Sequence, residues 1–374
     1  MIDTTLLTGA ERAIFSLRSL YGKYGYLPFK MSKFEEYDLY VRNKDFLVSD
    51  NVITFNDTDG RLLALKPDVT LSIIKNSTVT PGCKQKVYYN ENVYRVSPKV
   101  HRFKEIMQAG LETIGDIDDY CISEVVLLAA KSLECIKSDY ILDISHVGIV
   151  SEAIEAIDIS EKGRKALLKA LGEKNVGEIS AVCKSEGVDE DSAELLKKLA
   201  TIYGSPSEVI NKLKAIARGE KFDAAIAQLE RITEVLDQNG CLDKARIDFS
   251  IINNMTYYSG VVFKGYINGI SRDVLSGGQY DKLMRRMSRR SGAVGFAVYI
   301  DMLHSIFFDE TDFDVDAVLL YDENSSPKEI DAAIRKISES GQSVVAQKTK
   351  PTKIRFKNLY KLCGTEVESL EFND

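Results

Sequence analysis

Residues 84–115, KQKVYYNENVYRVSPKVHRFKEIMQAGLETIG, constrain the fold more than any other stretch of the chain. Two runs rich in β-branched and aromatic residues, 87–96 and 104–114, flank a basic loop containing Pro98, Lys99, His101 and Arg102, so the sequence predicts a long β-hairpin. In the second run a period of two puts Gln108, Gly110 and Glu112 on one face and Met107, Ala109, Leu111 and Thr113 on the other. Gly110 packs nothing and lowers strand propensity, which suits a place where a ligand approaches the backbone between an amide and a carboxylate. The solvated face of an edge strand would give the same pattern.

Composition narrows the class. At 374 residues the chain can bury a large core and should hold two or three domains. Its 49 basic and 56 acidic residues leave a net charge of −7, which argues against a dedicated nucleic-acid surface, because neutralising phosphates dominates such affinity. Cys83, Cys121, Cys135, Cys183, Cys241 and Cys363 are scattered, with no CxxC and no nearby histidine cluster. Neither a zinc site nor a disulfide framework is indicated, and no cofactor is expected. The N-terminus lacks a basic leader, and no apolar run approaches the roughly 18 residues of a membrane span. These features predict a cytoplasmic protein with no membrane contact.

Taken in order, the apolar positions Leu6, Leu7, Ile14, Leu17, Leu20 and Tyr21 mark a helix over 5–24 that stops at Gly25. Residues 52–55 and 61–65 flank an Asp59-Gly60 turn signal and read as a hairpin. Pro67 ends the second strand. A helix then begins over 68–75, where Asp68 and Thr70 are natural cap residues before any ligand is invoked. A helix over 118–136 and a strand over 140–144 follow, and helical periodicity dominates 149–239. Strands return over 246–251, 257–266 and 271–275, with Asn268-Gly269 as a turn. A basic helix over 280–290 ends in RRMSRR, for which a solvated helix end is a simpler account than an RNA contact. A strand running into a helix covers 293–308, and a β-α-β unit follows over 314–346. The expected division is 1–148, 149–245, 246–310 and 314–374.

Tyr94-Arg95, the run Arg102 to Glu105, and Gln108 to Glu112 with Gly115 resemble motif 2 of the class II aminoacyl-tRNA synthetases in its histidyl form. LKPDVT at 65–70, YYSGVVF at 257–263, GGQYD at 277–281 and GFAVYIDML at 295–303 extend the resemblance in the family's order over roughly 5–310. It implies a mixed α/β (α+β) fold: an antiparallel sheet flanked by helices, interrupted by a helical insert. Residues 314–374 look like the first half of an anticodon-binding domain, ending before a full mixed sheet is complete. The amino-acid set implied by the resemblance is Asp68 facing an ammonium, Thr70, Gln108 and Glu112 beside it, and Tyr258 and Tyr280 closing the imidazole side. Paired carboxylates and phenols suit histidine, a cation at one end and a two-sided hydrogen-bonding ring at the other.

The ATP set is eroded. Arg95 and Arg102 remain as a vestigial nucleotide site, with Arg61 and Lys66 nearby, but Ser97 and His101 stand where the family has an acid and a glycine. Arginines of the family are replaced by Asn253, Gln279 and Met302, and a glycine by Tyr299. Each lost donor to a transition-state oxyanion typically costs about two to three powers of ten in rate. A core that keeps its amino-acid pocket and loses its ATP arginines resembles the regulatory subunits of short-form ATP phosphoribosyltransferase. That resemblance implies a non-catalytic protein, dimeric within a hetero-octamer with the short catalytic subunit, serving the first step of histidine biosynthesis and its feedback inhibition by histidine. A divergent active histidyl-tRNA synthetase and a stand-alone histidine sensor are the alternatives.

Overall fold

The computed structural model describes residues 7–47, 52–96, 102–251, 257–303, 306 and 313–373. It divides into two compact units, Met1–Ser305 and Ile306–Asp374.

The first unit is organised on the expected hairpin. Lys84–Val96 pairs antiparallel with Phe103–Gly115 along its whole length, so Val87 faces Glu112, Tyr89 faces Gly110 and Glu91 faces Gln108. The pair lies in a nine-stranded sheet. From one edge its order is Leu27–Pro28, Lys84–Val96, Phe103–Gly115, Gly292–Tyr299, Leu275–Gln279, Val261–Ile267, Tyr140–His146, Ala245–Asp248 and Tyr203–Gly204. Only the contacts of Leu27–Pro28 with Lys84–Val96 and of Tyr140–His146 with Ala245–Asp248 are parallel.

One face of this sheet is covered by helices. Gly9–Lys23 starts at a Thr8/Glu11 capping box and buries Ala13, Leu17 and Tyr21. Asp119–Ile136 is capped by Asp118, whose Oδ1 accepts from Cys121 N–H at 2.8 Å, and buries Val125, Val126, Leu128 and Leu133. The two helices meet where Tyr21 Oη and Ser132 Oγ lie 3.1 Å apart. Leu111, Phe263 and Phe296 fill the layer beneath them, which leaves the alternate residues, among them Gln108 and Glu112, on the other face.

The Asp-Gly hairpin is present: Thr54–Asn56 pairs with Leu62–Leu65, and Gly60 takes φ +84° in the turn. A strand the sequence did not suggest, Phe34–Glu36, pairs with the other side of Leu62–Leu65. Between Tyr140–His146 and Ala245–Asp248 run the helices Val147–Glu155, Glu161–Gly172, Val176–Glu186, Glu190–Thr201, Pro206–Ile216 and Glu220–Gln238.

Several elements differ from expectation. The strand placed at 257–266 is Val261–Ile267, which leaves Tyr257 and Tyr258 in the loop before it. The strand placed at 271–275 is Leu275–Gln279, so Gly277 and Gly278 lie within it. A Cβ on Gly277 would sit 2.4 Å from Phe296 Cβ, and one on Gly278 2.7 Å from the Tyr258 ring, so these glycines serve close approach and not a loop. The basic helix stops at Arg286, within Asp281–Arg286, and Ser288 takes φ +58°. Gly292–Tyr299 runs into a short 3₁₀ turn, Ile300–Leu303, and the rest of the expected helix lies outside the described residues except Ile306.

In the second unit Val315–Leu320, the helix Pro327–Glu339 and Val344–Gln347 form the expected β-α-β unit. Phe356–Cys363 and Glu366–Phe372 add a hairpin, with Gly364 at φ +64° between them, and complete a four-stranded mixed sheet. Three of its basic residues make surface ion pairs: Lys348 with Glu323 at 3.6 Å, Lys350 with Glu371, and Arg355 with Asp314 at 3.0 Å.

Candidate functional site

The opposite face of the large sheet, on which Thr70–Asn76 packs, holds a cavity of about 250 Å³. Asp68, Thr70, Gln108, Glu112, Tyr258 and Tyr280 all line it, brought together from two loops, a helix N-terminus, one strand and the end of another. Arg95 lines it as well, whereas Arg102 is exposed and stands outside its wall.

Glu112 is the centre of this arrangement. It is 2% exposed, and its two oxygens are taken by hydroxyls: Thr70 Oγ1 donates to Oε1 at 2.8 Å and Tyr280 Oη donates to Oε2. Burial raises its pKa to about 8 against these stabilising bonds, so the carboxyl is mostly protonated at pH 7. Room for it comes from Gly295, directly across the ladder, where a Cβ would fall 1.7 Å from Oε2.

Asp68 does the capping work that its sequence position suggested. Its Oδ1 accepts from Leu71 N–H at 2.9 Å at the start of Thr70–Asn76, while burial raises its pKa and the Arg95 charge opposes that rise. Capping and lining the cavity are compatible, because a carboxylate has about four acceptor sites. The tyrosines stack around these acids, with Tyr257 5.8 Å from Tyr280 and 4.8 Å from Tyr258 between ring centroids. Burial pushes the hydroxyls of Tyr257, Tyr258 and Tyr280 well above the usual phenol range, so all three remain neutral hydrogen-bonding groups.

Gly110 serves a different purpose from the one its position suggested. A Cβ there would lie 2.2 Å from Phe296 O and 2.6 Å from Tyr89 Oη, so the glycine admits a neighbouring strand and a tyrosine. Gln279 is also displaced from its expected role: it lines no part of this cavity, and its Nε2 donates to Asp281 Oδ2 at 2.7 Å. It faces a larger cleft of about 1030 Å³ that contains none of the candidate residues. Lys66 and Arg61 do not line the cavity either. Lys66 is fully buried on Glu91 at 2.6 Å, and Arg61 pairs with Asp59 at 2.8 Å. Ser97, His101 and Asn253 lie outside the described residues.

Sequence reasoning missed Lys264, Ser276, Tyr89 and Tyr257 as parts of the wall, and treated Tyr299 only as a replaced glycine. The alternation of Val261–Ile267 does put Val262 and Lys264 on one face, but the register that turns that face toward Glu112 is tertiary.

The architecture is that of a class II synthetase catalytic core, and residues 8–303 match the histidyl-tRNA synthetase family. The chain belongs to that family. Its relatives include the ATP phosphoribosyltransferase regulatory subunits of Oceanobacillus iheyensis, 29% identical over 78% of this chain and 72% of that one, and of Clostridium kluyveri, 27% identical over 89% and 87%. Among solved structures, a Bacillus halodurans protein described as an ATP phosphoribosyltransferase regulatory subunit/histidyl-tRNA synthetase superposes with a TM-score of 0.77 at 25% identity, covering 94% of this chain and 93% of that one. A Nostoc histidyl-tRNA synthetase shares the fold with a TM-score of 0.72 at 17% identity, over 96% and 91%. Among the described residues no helix is long and apolar enough to cross a membrane.

Proposed function

We propose that this protein is a non-catalytic regulatory subunit of ATP phosphoribosyltransferase, required by a separate short catalytic subunit for the first step of histidine biosynthesis. Histidine is the ligand of the cavity and the feedback inhibitor, and the protein acts as a homodimer within a hetero-octamer. The observation that carries the reading is that relatives matched over most of the chain bear that name.

The site supports it chemically. Two acids and five phenols around about 250 Å³ suit a small amino acid with a cationic end and a ring that both donates and accepts. Adenylate formation asks for something else, because charge developing at the α-phosphorus needs preorganised cations. Here Arg95 spends its Nε on Pro67 O at 2.9 Å. The ring of Tyr299 occupies wall space that the family's glycine leaves open, and Met302 supplies no charge.

The protein alone will give no histidine-dependent ATP–pyrophosphate exchange. Mixed with a short-form catalytic subunit, it will restore phosphoribosyl-ATP formation that neither partner shows alone, and millimolar histidine will suppress it. Exchange above background, or a salt-resistant complex with histidine tRNA, returns the synthetase reading. Histidine binding without any stimulation of a catalytic subunit leaves the sensor. Sedimentation of the mixture tests the octamer.

A further inference from the structure

The cavity wall contains two acids, Asp68 and Glu112, and two cations, Arg95 and Lys264. One cation is already committed, since Arg95 donates to Pro67 O and its charge lies against Asp68. Lys264 makes no hydrogen bond, and no ion pair within 4 Å, among the described residues, although Asp143 stands directly across the ladder and its carboxyl feels the lysine's charge. Asp143 Oδ1 is itself buried with no hydrogen-bond partner, so the lysine does not bond to that oxygen and remains available to another anion. On the other side Lys264 faces Ser276, whose neighbour Ala297 pairs with Gly110, and this row leads back along the sheet to the acids.

Glu112 and Lys264 stand three strands apart, about 14 Å between backbones at roughly 4.8 Å per strand. The cavity therefore holds both acids, with Arg95 against Asp68, at one end and Lys264 at the other. The four-carbon stem of a lysine lets its ammonium move along such a groove. A free amino acid is a zwitterion, and its carboxylate cannot be left desolvated beside two acids without a cation of its own.

We propose that Lys264 receives the carboxylate of the amino acid held in this cavity while the acids take its ammonium, so that the site selects the zwitterion over the amine or alcohol with the same side chain. This rests on the reading of histidine as the ligand. It adds a residue that accounts for the one charge of histidine left unmatched by Asp68, Thr70, Gln108, Glu112, Tyr258 and Tyr280.

Titration calorimetry of the whole protein with histidine and with histidinol, which lacks the carboxylate, tests it. Wild type should bind histidine at least tenfold more tightly than histidinol. Lys264→Gln should weaken histidine about ten- to a hundredfold and leave histidinol within about twofold, the size expected for one charged hydrogen bond. Lys264→Arg should keep most of the preference, and matched thermal melts of the three proteins check folding. A Lys264→Gln protein that retains the preference overturns the assignment while the histidine reading stands, and equal loss of both ligands overturns it by showing a structural role. Wild type that binds neither ligand rejects the parent reading, and this one with it.

Discussion

Raising the pH from 5 to 9 will destabilise the wild-type protein relative to its Glu112→Gln variant by about 3–5 kcal/mol, the largest pH effect expected from one residue here. In the unfolded chain Glu112 titrates near its ordinary 4.5, and in the folded cavity near 8. Below about pH 4.5 both states hold the proton and nothing is lost. Between the two values the unfolded state gives up a proton that the folded state keeps, so stability falls by about 1.4 kcal/mol per pH unit and levels off above 8. Urea melts of both proteins at pH 5, 7 and 9 measure the gap, and curves that stay parallel would show that Glu112 is already ionised in the folded protein.

The same group governs the ligand. A cation arriving beside a protonated Glu112 drives it to ionise, so histidine binding at pH 7 should release up to one proton, read as a buffer-dependent heat in calorimetry. Glu112→Gln should abolish that release. Glu112→Gln and Asp68→Asn should each weaken histidine about ten- to a hundredfold, with assembly onto the catalytic subunit intact. If wild type and both variants bind alike, inhibition acts elsewhere than in this cavity.

The central hairpin was legible because its strands are long, β-branched and aromatic, and because period two fixes which residues share a face once the element is known. That is why Gln108 and Glu112 could be placed on one face before any neighbour was assigned. Motif order carried Asp68, Tyr258 and Tyr280 to the same site, which periodicity alone could not do. What the sequence hid is register and approach between distant strands. Gln279 looked like a lost cation of the site, but the pairing Gln279↔Val294 puts it outside the cavity wall, while Lys264, with no motif to mark it, lines that wall. Gly110 read as a ligand signal, and the reason for Gly277 and Gly278 went unseen, because a missing Cβ does not say what fills its place. Only the packed sheet shows that Tyr89, Phe296 and Tyr258 do.

Gly295→Ala gives the sharpest test of that lesson. The new Cβ would sit 1.7 Å from Glu112 Oε2 and 2.5 Å from Leu111 O, so either the carboxylate leaves its place or two central strands separate. A displaced carboxylate strips Tyr280 and Thr70 of their acceptor, and overpacking adds about 1–3 kcal/mol. The expected cost is about 3 kcal/mol of stability, with histidine affinity reduced more than a hundredfold. In a Glu112→Ala background the same substitution should cost at least about 1 kcal/mol less, because the clash with the carboxylate is gone and only that with Leu111 O remains. Gly22→Ala is the control: that glycine lies in Gly9–Lys23 with nothing within 4 Å of its Cβ position, and the change should stabilise by about 0.5–1 kcal/mol. If Gly295→Ala is as harmless as Gly22→Ala, or costs the same with and without the Glu112 carboxyl, the close seat of that carboxyl over Gly295 is not what shapes the cavity.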